Sequence, residues 1–238
     1  TTLEFDVTVD PLRLLRHLKV RSTGCFHFCF QFSGSAAFIG ASPERLYRRV
    51  GRHIESEAVA GTRPRGATSD EDTRISRELL ASEKDVTEHT FVVDDIARVL
   101  RRICRHWRTV EGDAAGSLMK LARVQHLVTR LEGELADDYD DSAILTRLHP
   151  TSAVGGVPTS RAIPMITKLE PFDRGWYAAP VGWVGSDSAE FAVGIRSGLV
   201  DGRKLHLYSG AGIVQGSSAE EEWREIDSKL SGFLAALN

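Results

Sequence analysis

Cys25-Phe26-His27-Phe28-Cys29-Phe30-Gln31-Phe32 alternates strictly, with a phenylalanine at every second position. A period of two marks a β-strand with one apolar face. Residues 24–32 and 36–40 are predicted as strands joined by Ser33-Gly34-Ser35. Residues 46–50 and 53–60 form a second predicted pair, turning at Gly51-Arg52. The Cys-x-His-x-Cys spacing invites a metal reading, which strand geometry opposes. Alternate residues stand about 6.6 Å apart, whereas two zinc ligands lie within about 4 Å. The three cysteines are therefore read as reduced residues of a cytoplasmic protein.

On the N-terminal side, residues 11–18 read as a short helix with Pro11 in its first turn. After the Gly/Pro/Arg-rich loop 60–66, Ser69 caps a long helical pattern over 70–108, broken once at most. Ile75, Leu79, Val86, Val93, Leu100 and Trp107 recur along it near a 3.6 period. Residues 118–132 are strand-like and then polar, and the acidic stretch 136–142 (Asp137, Asp138, Asp140, Asp141) reads as a loop or helix entry. Helices are predicted at 143–148 and 159–169, and strands at 176–184, 189–200 and 203–209. The capping box Ser218-Ala-Glu-Glu221 opens a last helix to about 236. Strands, helix, short elements, strands, helix is the order of an α+β domain with mainly antiparallel sheet, spanning residues 1–238.

The 238 residues are 42% hydrophobic and 26% charged with a net charge of −3, the balance of a globular chain with a real core. No apolar run approaches the ~20 residues of a membrane span, so no membrane partner is expected. The acidic opening Thr1 to Asp10 lacks the features of a signal peptide. The arginines at 98, 101, 102, 105 and 108 fall at helical spacing, but the slightly acidic whole argues for a solvated face over nucleic acid.

Two carboxylate pairs carry potential chemistry. Asp85 with Glu88, and Glu222 with Glu225, stand three apart on predicted helices. Such spacing puts both oxygen sets on one face, as Mg²⁺ requires. The same spacing also suits a solvated face, and Glu225 with Lys229 is a favourable i,i+4 pair. Gly210-Ala211-Gly212 and Gly61-Thr62 are loops that admit an anion to backbone N–H groups or are simple turns. Arg196 within 189–200 needs an anionic partner if it points inward. His126 and His149 read on their own as structural histidines.

Taken in order, these blocks define a resemblance. They are Ile39-Gly-Ala-Ser-Pro-Glu-Arg-Leu46, Ala60-Gly-Thr-Arg63, Leu79-Leu-Ala-Ser-Glu-Lys-Asp-Val-Thr-Glu-His89 and His149-Pro-Thr-Ser-Ala-Val-Gly-Gly156. Glu170-Pro-Phe-Asp-Arg174, Val193-Gly-Ile-Arg-Ser197, Gly210-Ala-Gly-Ile-Val214 and Glu222-Trp-Arg-Glu225 with Lys229 complete them. Over nearly its whole length the chain resembles the C-terminal portion of the chorismate-utilising enzymes, most of all isochorismate synthases of menaquinone and siderophore pathways.

The resemblance implies that fold, with helices packed outside antiparallel sheets, and the Mg²⁺-dependent conversion of chorismate to isochorismate. It implies Glu44 as general acid, and Glu88 and Glu225 as Mg²⁺ carboxylates with Asp85 and Glu222 beside them. It places Gly61, Thr62, His126, Tyr177, Arg196, Gly210, Ala211, Gly212 and Lys229 around the substrate. Ala153 falls where the anthranilate and salicylate synthases carry threonine, which favours water addition over salicylate formation. The family's lysine general base falls just ahead of Thr1, in an N-terminal region that completes the sheets. A fragment with weak turnover, commonly monomeric in this family, is the resulting expectation. A salicylate synthase and a non-catalytic chorismate-binding fragment are the alternatives.

Overall fold

Alternation and turn chemistry produce the expected strands, and two of these strands change sheets. The computed structural model describes residues 1–110, 117–137 and 139–237. In chain order the elements are β1 (Thr2–Glu4), α1 (Pro11–Arg21), β2 (Phe26–Gln31), β3 (Ala36–Ser42), β4 (Arg45–Val50) and β5 (His53–Pro64). Next come α2 (Ser69–Ala81), α3 (Glu83–Ile103), β6 (Cys104–Thr109), β7 (Ser117–Lys120), β8 (Val124–Leu135), α4 (Asp141–Leu148), α5 (Ser152–Gly155) and α6 (Thr159–Leu169). The chain closes with β9 (Pro180–Val184), β10 (Ser188–Val193), β11 (Ser197–Asp201), β12 (Lys204–Tyr208) and α7 (Ala219–Leu234).

One sheet has the order β1-β12-β11-β3-β2, and the other β6-β8-β5-β4-β10-β9 with β7 also on β8. Every pairing is antiparallel. Helix α3 lays Val92, Ile96, Leu100 and Ile103 on the larger sheet against Ile54 and Leu131. Helices α1 and α7 cover the smaller sheet through Leu14, Leu18 and Phe233 against Ile39, Val200 and Leu205. Each buried side chain of this size contributes about 1.5–3 kcal/mol. The α+β class with helices outside antiparallel sheets is therefore the observed one.

Three expectations are corrected. Thr68, not Ser69, caps α2, its hydroxyl accepting from Glu71 N. The one break allowed over 70–108 falls at Ser82, whose side chain accepts from Asp85 N and starts α3. Residues 104–109 then leave the helix to pair with β8, where Gly133 makes room: a Cβ there would meet Cys104 Sγ at 2.8 Å. Arg105 and Arg108 consequently sit on β6, ion-paired with Asp137 and Glu132, and the helical arginine stripe ends at Arg102. The expected strand over 189–200 is two strands in different sheets, parted at Gly194-Ile195-Arg196. Of the acidic stretch, Asp138 lies outside the described residues. Asp141 accepts from the Tyr47 hydroxyl and from Arg49 Nε and Nη2, fastening α4 to β4.

Candidate active site

The two sheets exchange strands side by side. β3 crosses to β4 through Pro43-Glu44, and β10 crosses to β11 through Gly194-Ile195-Arg196. Backbone bonds stitch the crossings together: Val193 N donates to Glu44 O at 3.0 Å, and Ala41 N to Arg196 O at 3.1 Å. The fold thus brings an acid and a guanidinium together at the junction of both sheets.

Arg196 has φ +50°, a left-handed conformation that costs a non-glycine residue about 1–3 kcal/mol. Glycine would adopt it freely, so the side chain is what the position retains. Its Nη2 donates to His126 Nε2 at 3.1 Å, and among the described residues no carboxylate lies within ion-pair distance. Burial works against its charge. A buried guanidinium with most of its donors unspent is a receptor for an anion. Acceptance at Nε2 puts the His126 proton on Nδ1, which faces Gly61 O at 3.2 Å and Thr62 Oγ1 at 3.1 Å. Burial and the neighbouring Arg196 keep His126 neutral. The Thr62 hydroxyl proton is then available to a ligand oxygen.

Glu44 is 4% exposed. Burial pushes its carboxyl up to about 8, against the pull of Lys229 and Arg196 and with the help of Glu57. It therefore holds a proton at neutral pH, as a general acid must.

Across from it, Lys229 bridges Glu225 Oε1 at 2.6 Å and Gly210 O at 3.0 Å, tying the Gly210–Gly212 loop to α7. Tyr177 stacks on Tyr208 with ring centroids 5.5 Å apart. A Cβ on Gly210 would meet the Tyr177 hydroxyl at 2.8 Å. Burial raises Tyr177 to about 12, so its hydroxyl remains a donor.

The acid pairs lie on α3 and α7. Burial and the facing Glu225 raise Glu88 to about 7. A Cβ on Gly212 would stand 2.5 Å from Glu88 Oε1, so only glycine leaves that oxygen free. Two facing carboxylates beside a glycine cradle fit a hard divalent cation. Asp85 is fully buried in a fork with Arg63 (2.6 and 3.3 Å), and Glu222 Oε1 lies 2.5 Å from Lys84 Nζ. Among the described residues, no three His, Cys, Asp or Glu side chains converge as a closed metal cage.

Ala153 packs toward the core cluster of the larger sheet, on the turn that Ser152 fastens to Asp95 of α3. His149 is structural in its contact, paired through Nε2 with Ala178 O at 2.8 Å. Arg63 and Lys84, the partners of Asp85 and Glu222, carry no signal of that role in the sequence. Both lie inside quoted blocks, but only the fold shows what they face.

A family model described as chorismate binding enzyme matches residues 1–238, and the chain belongs to that family. It is 43% identical over 233 residues to isochorismate synthase 2, chloroplastic, of Arabidopsis thaliana, covering 98% of this chain and 41% of that protein. It is 39% identical to isochorismate synthase MenF of Bacillus subtilis, covering 99% of this chain and 49% of the relative. Its fold superposes on the solved menaquinone-specific isochorismate synthase MenF of Escherichia coli with a TM-score of 0.91 at 34% identity, covering all of this chain and 54% of that one. The chain spans about half the length of these relatives.

Proposed function

We propose that this chain carries the catalytic site of an isochorismate synthase, which adds water at C2 of chorismate and expels the C4 hydroxyl. The observation that carries the reading is the junction itself: a protonated, buried Glu44 beside Arg196, a buried guanidinium that no described carboxylate neutralises. Chorismate brings two carboxylates and a leaving hydroxyl, which match these groups. Arg196, Tyr177, Thr62 and the Gly210-Ala211-Gly212 backbone hold the carboxylates, with Lys229 fixing that loop. Glu44 delivers its proton to the C4 oxygen as the C4–O bond breaks and the new C2–O bond forms. The oxygen leaves as water and the ring double bonds shift, so substrate and product are isomers.

Mg²⁺ would be held by Glu88 and Glu225, with Asp85 and Glu222 beside it, and would supply positive charge for the ring carboxylate. The lysine that the resemblance places ahead of Thr1 would take the proton of the attacking water. β1 pairs Thr2 with His206, so a strand continuing β1 backward would run beside Tyr208 and Ser209 at the site's end of the sheet. The enzyme is proposed to be cytoplasmic and monomeric. Among the described residues, no helix is long and apolar enough to cross a membrane.

The test is chorismate with Mg²⁺, products read by NMR, repeated with EDTA and with Glu44→Gln. The unmatched half of the Bacillus subtilis relative is added in a parallel reaction. Metal-dependent isochorismate that is lost in Glu44→Gln supports the reading. Salicylate as product, or no turnover even with the added half, contradicts it.

A further inference from the structure

Lys84 precedes Asp85 on α3, and its ammonium turns toward α7. Nζ lies 2.5 Å from Glu222 Oε1, with the two side chains 17% and 7% exposed. Burial works against its charge, and Glu222, Glu225 and Asp85 outweigh burial to strengthen it. The ammonium thereby links the acid pair of α3, Asp85 with Glu88, to that of α7, Glu222 with Glu225. Asp85 and Glu225 have cations of their own in Arg63 and Lys229. Glu222 has Lys84, and Glu88 has no ion-pair partner among the described residues.

We propose that Lys84 is the resident counter-ion of this cluster and competes with a divalent cation for it. The inference rests on the reading of the cluster as a Mg²⁺ site. Neighbouring carboxylates ionise together more readily with positive charge among them. Arg63 grips Asp85 through a planar fork, which fixes both groups. Lys84 offers a point charge on a flexible stem, which can withdraw. A divalent ion drawn to Glu88 and Glu225 repels that ammonium and loosens its hold on Glu222. Metal binding and the Lys84–Glu222 contact are then negatively coupled, and coupling of this kind is typically worth about 5–150-fold in affinity.

The test is calorimetric titration of MgCl₂ into the full chain, as wild type and as Lys84→Met. The expected result is Mg²⁺ bound at least about fivefold more tightly by Lys84→Met. Its metal-free form should melt lower, because Glu222 loses its partner, and Mg²⁺ should restore much of the difference. Should Lys84→Met not fold, the side-chain ammonium resonance of Lys84 in ¹⁵N-labelled wild type decides. That resonance should shift or broaden away in step with Mg²⁺ saturation. Equal or weaker Mg²⁺ binding by Lys84→Met, or an ammonium signal indifferent to bound Mg²⁺, overturns the counter-ion inference and leaves the metal site standing. No Mg²⁺ binding by either protein overturns the metal reading and the inference with it.

Discussion

Glu44→Gln separates the proton on this carboxyl from everything else in the site. In the folded chain Glu44 is raised from 4.5 to about 8, chiefly by burial. Between those two values the folded state holds a proton that the unfolded chain has released, so wild-type stability falls as pH rises through that window. Below 4.5 both states are protonated and nothing is lost, and above about 8 the loss is complete. At about 1.4 kcal/mol per unit, the full loss is on the order of 4–5 kcal/mol, with about 2 kcal/mol already gone at pH 6. Glutamine keeps the shape and the neutral state at every pH. Urea denaturation at pH 4, 6 and 9 should therefore show the two proteins nearly equal at pH 4. Glu44→Gln should become the more stable by roughly these amounts as pH rises, although it has lost the catalytic proton. Because Glu88 titrates in both proteins, the difference between them isolates Glu44. Parallel stability curves would refute the raised proton affinity and, with it, the general-acid role.

Further consequences follow from named contacts. Gly40→Ala drives a methyl into the Phe28 ring, and overpacking of this kind should cost about 1–3 kcal/mol in chemical denaturation. Gly212→Ala puts a carbon 2.5 Å from Glu88 Oε1; calorimetry should show weakened Mg²⁺ binding with a melting temperature close to wild type. Asp141→Asn removes the charge that accepts from Tyr47 and Arg49. It should cost about 1–3 kcal/mol without changing chorismate affinity, as measured by denaturation and titration together.

Much of the fold was legible because its signals are local. The alternation beginning at Phe26 is β2, Pro11 stands in the first turn of α1, and Ser218 caps α7. What was not legible depends on distant partners. Nothing between Cys104 and Thr109 announces a strand, because the reason is the notch that Gly133 leaves in β8. Arg196 looks like the middle of a strand, since a positive φ is signalled by glycine and asparagine and not by arginine. The ordered blocks placed Glu44 and Arg196 in one site, and the twin sheet crossing explains why they meet. The carboxylates stood out by spacing alone, whereas Arg63 and Lys84, the cations that divide them, became visible only when α3 met β5 and α7.

Arg196 is proposed to receive a carboxylate of chorismate at the sheet junction. The decisive experiment is titration of chorismate into the full chain with Mg²⁺ present, as wild type and as Arg196→Gln. Wild type should bind saturably and one to one, and Arg196→Gln should lose at least about tenfold in affinity, the 1.5–3 kcal/mol of a charged hydrogen bond. Equal affinity in the two proteins would refute a carboxylate-binding role for Arg196.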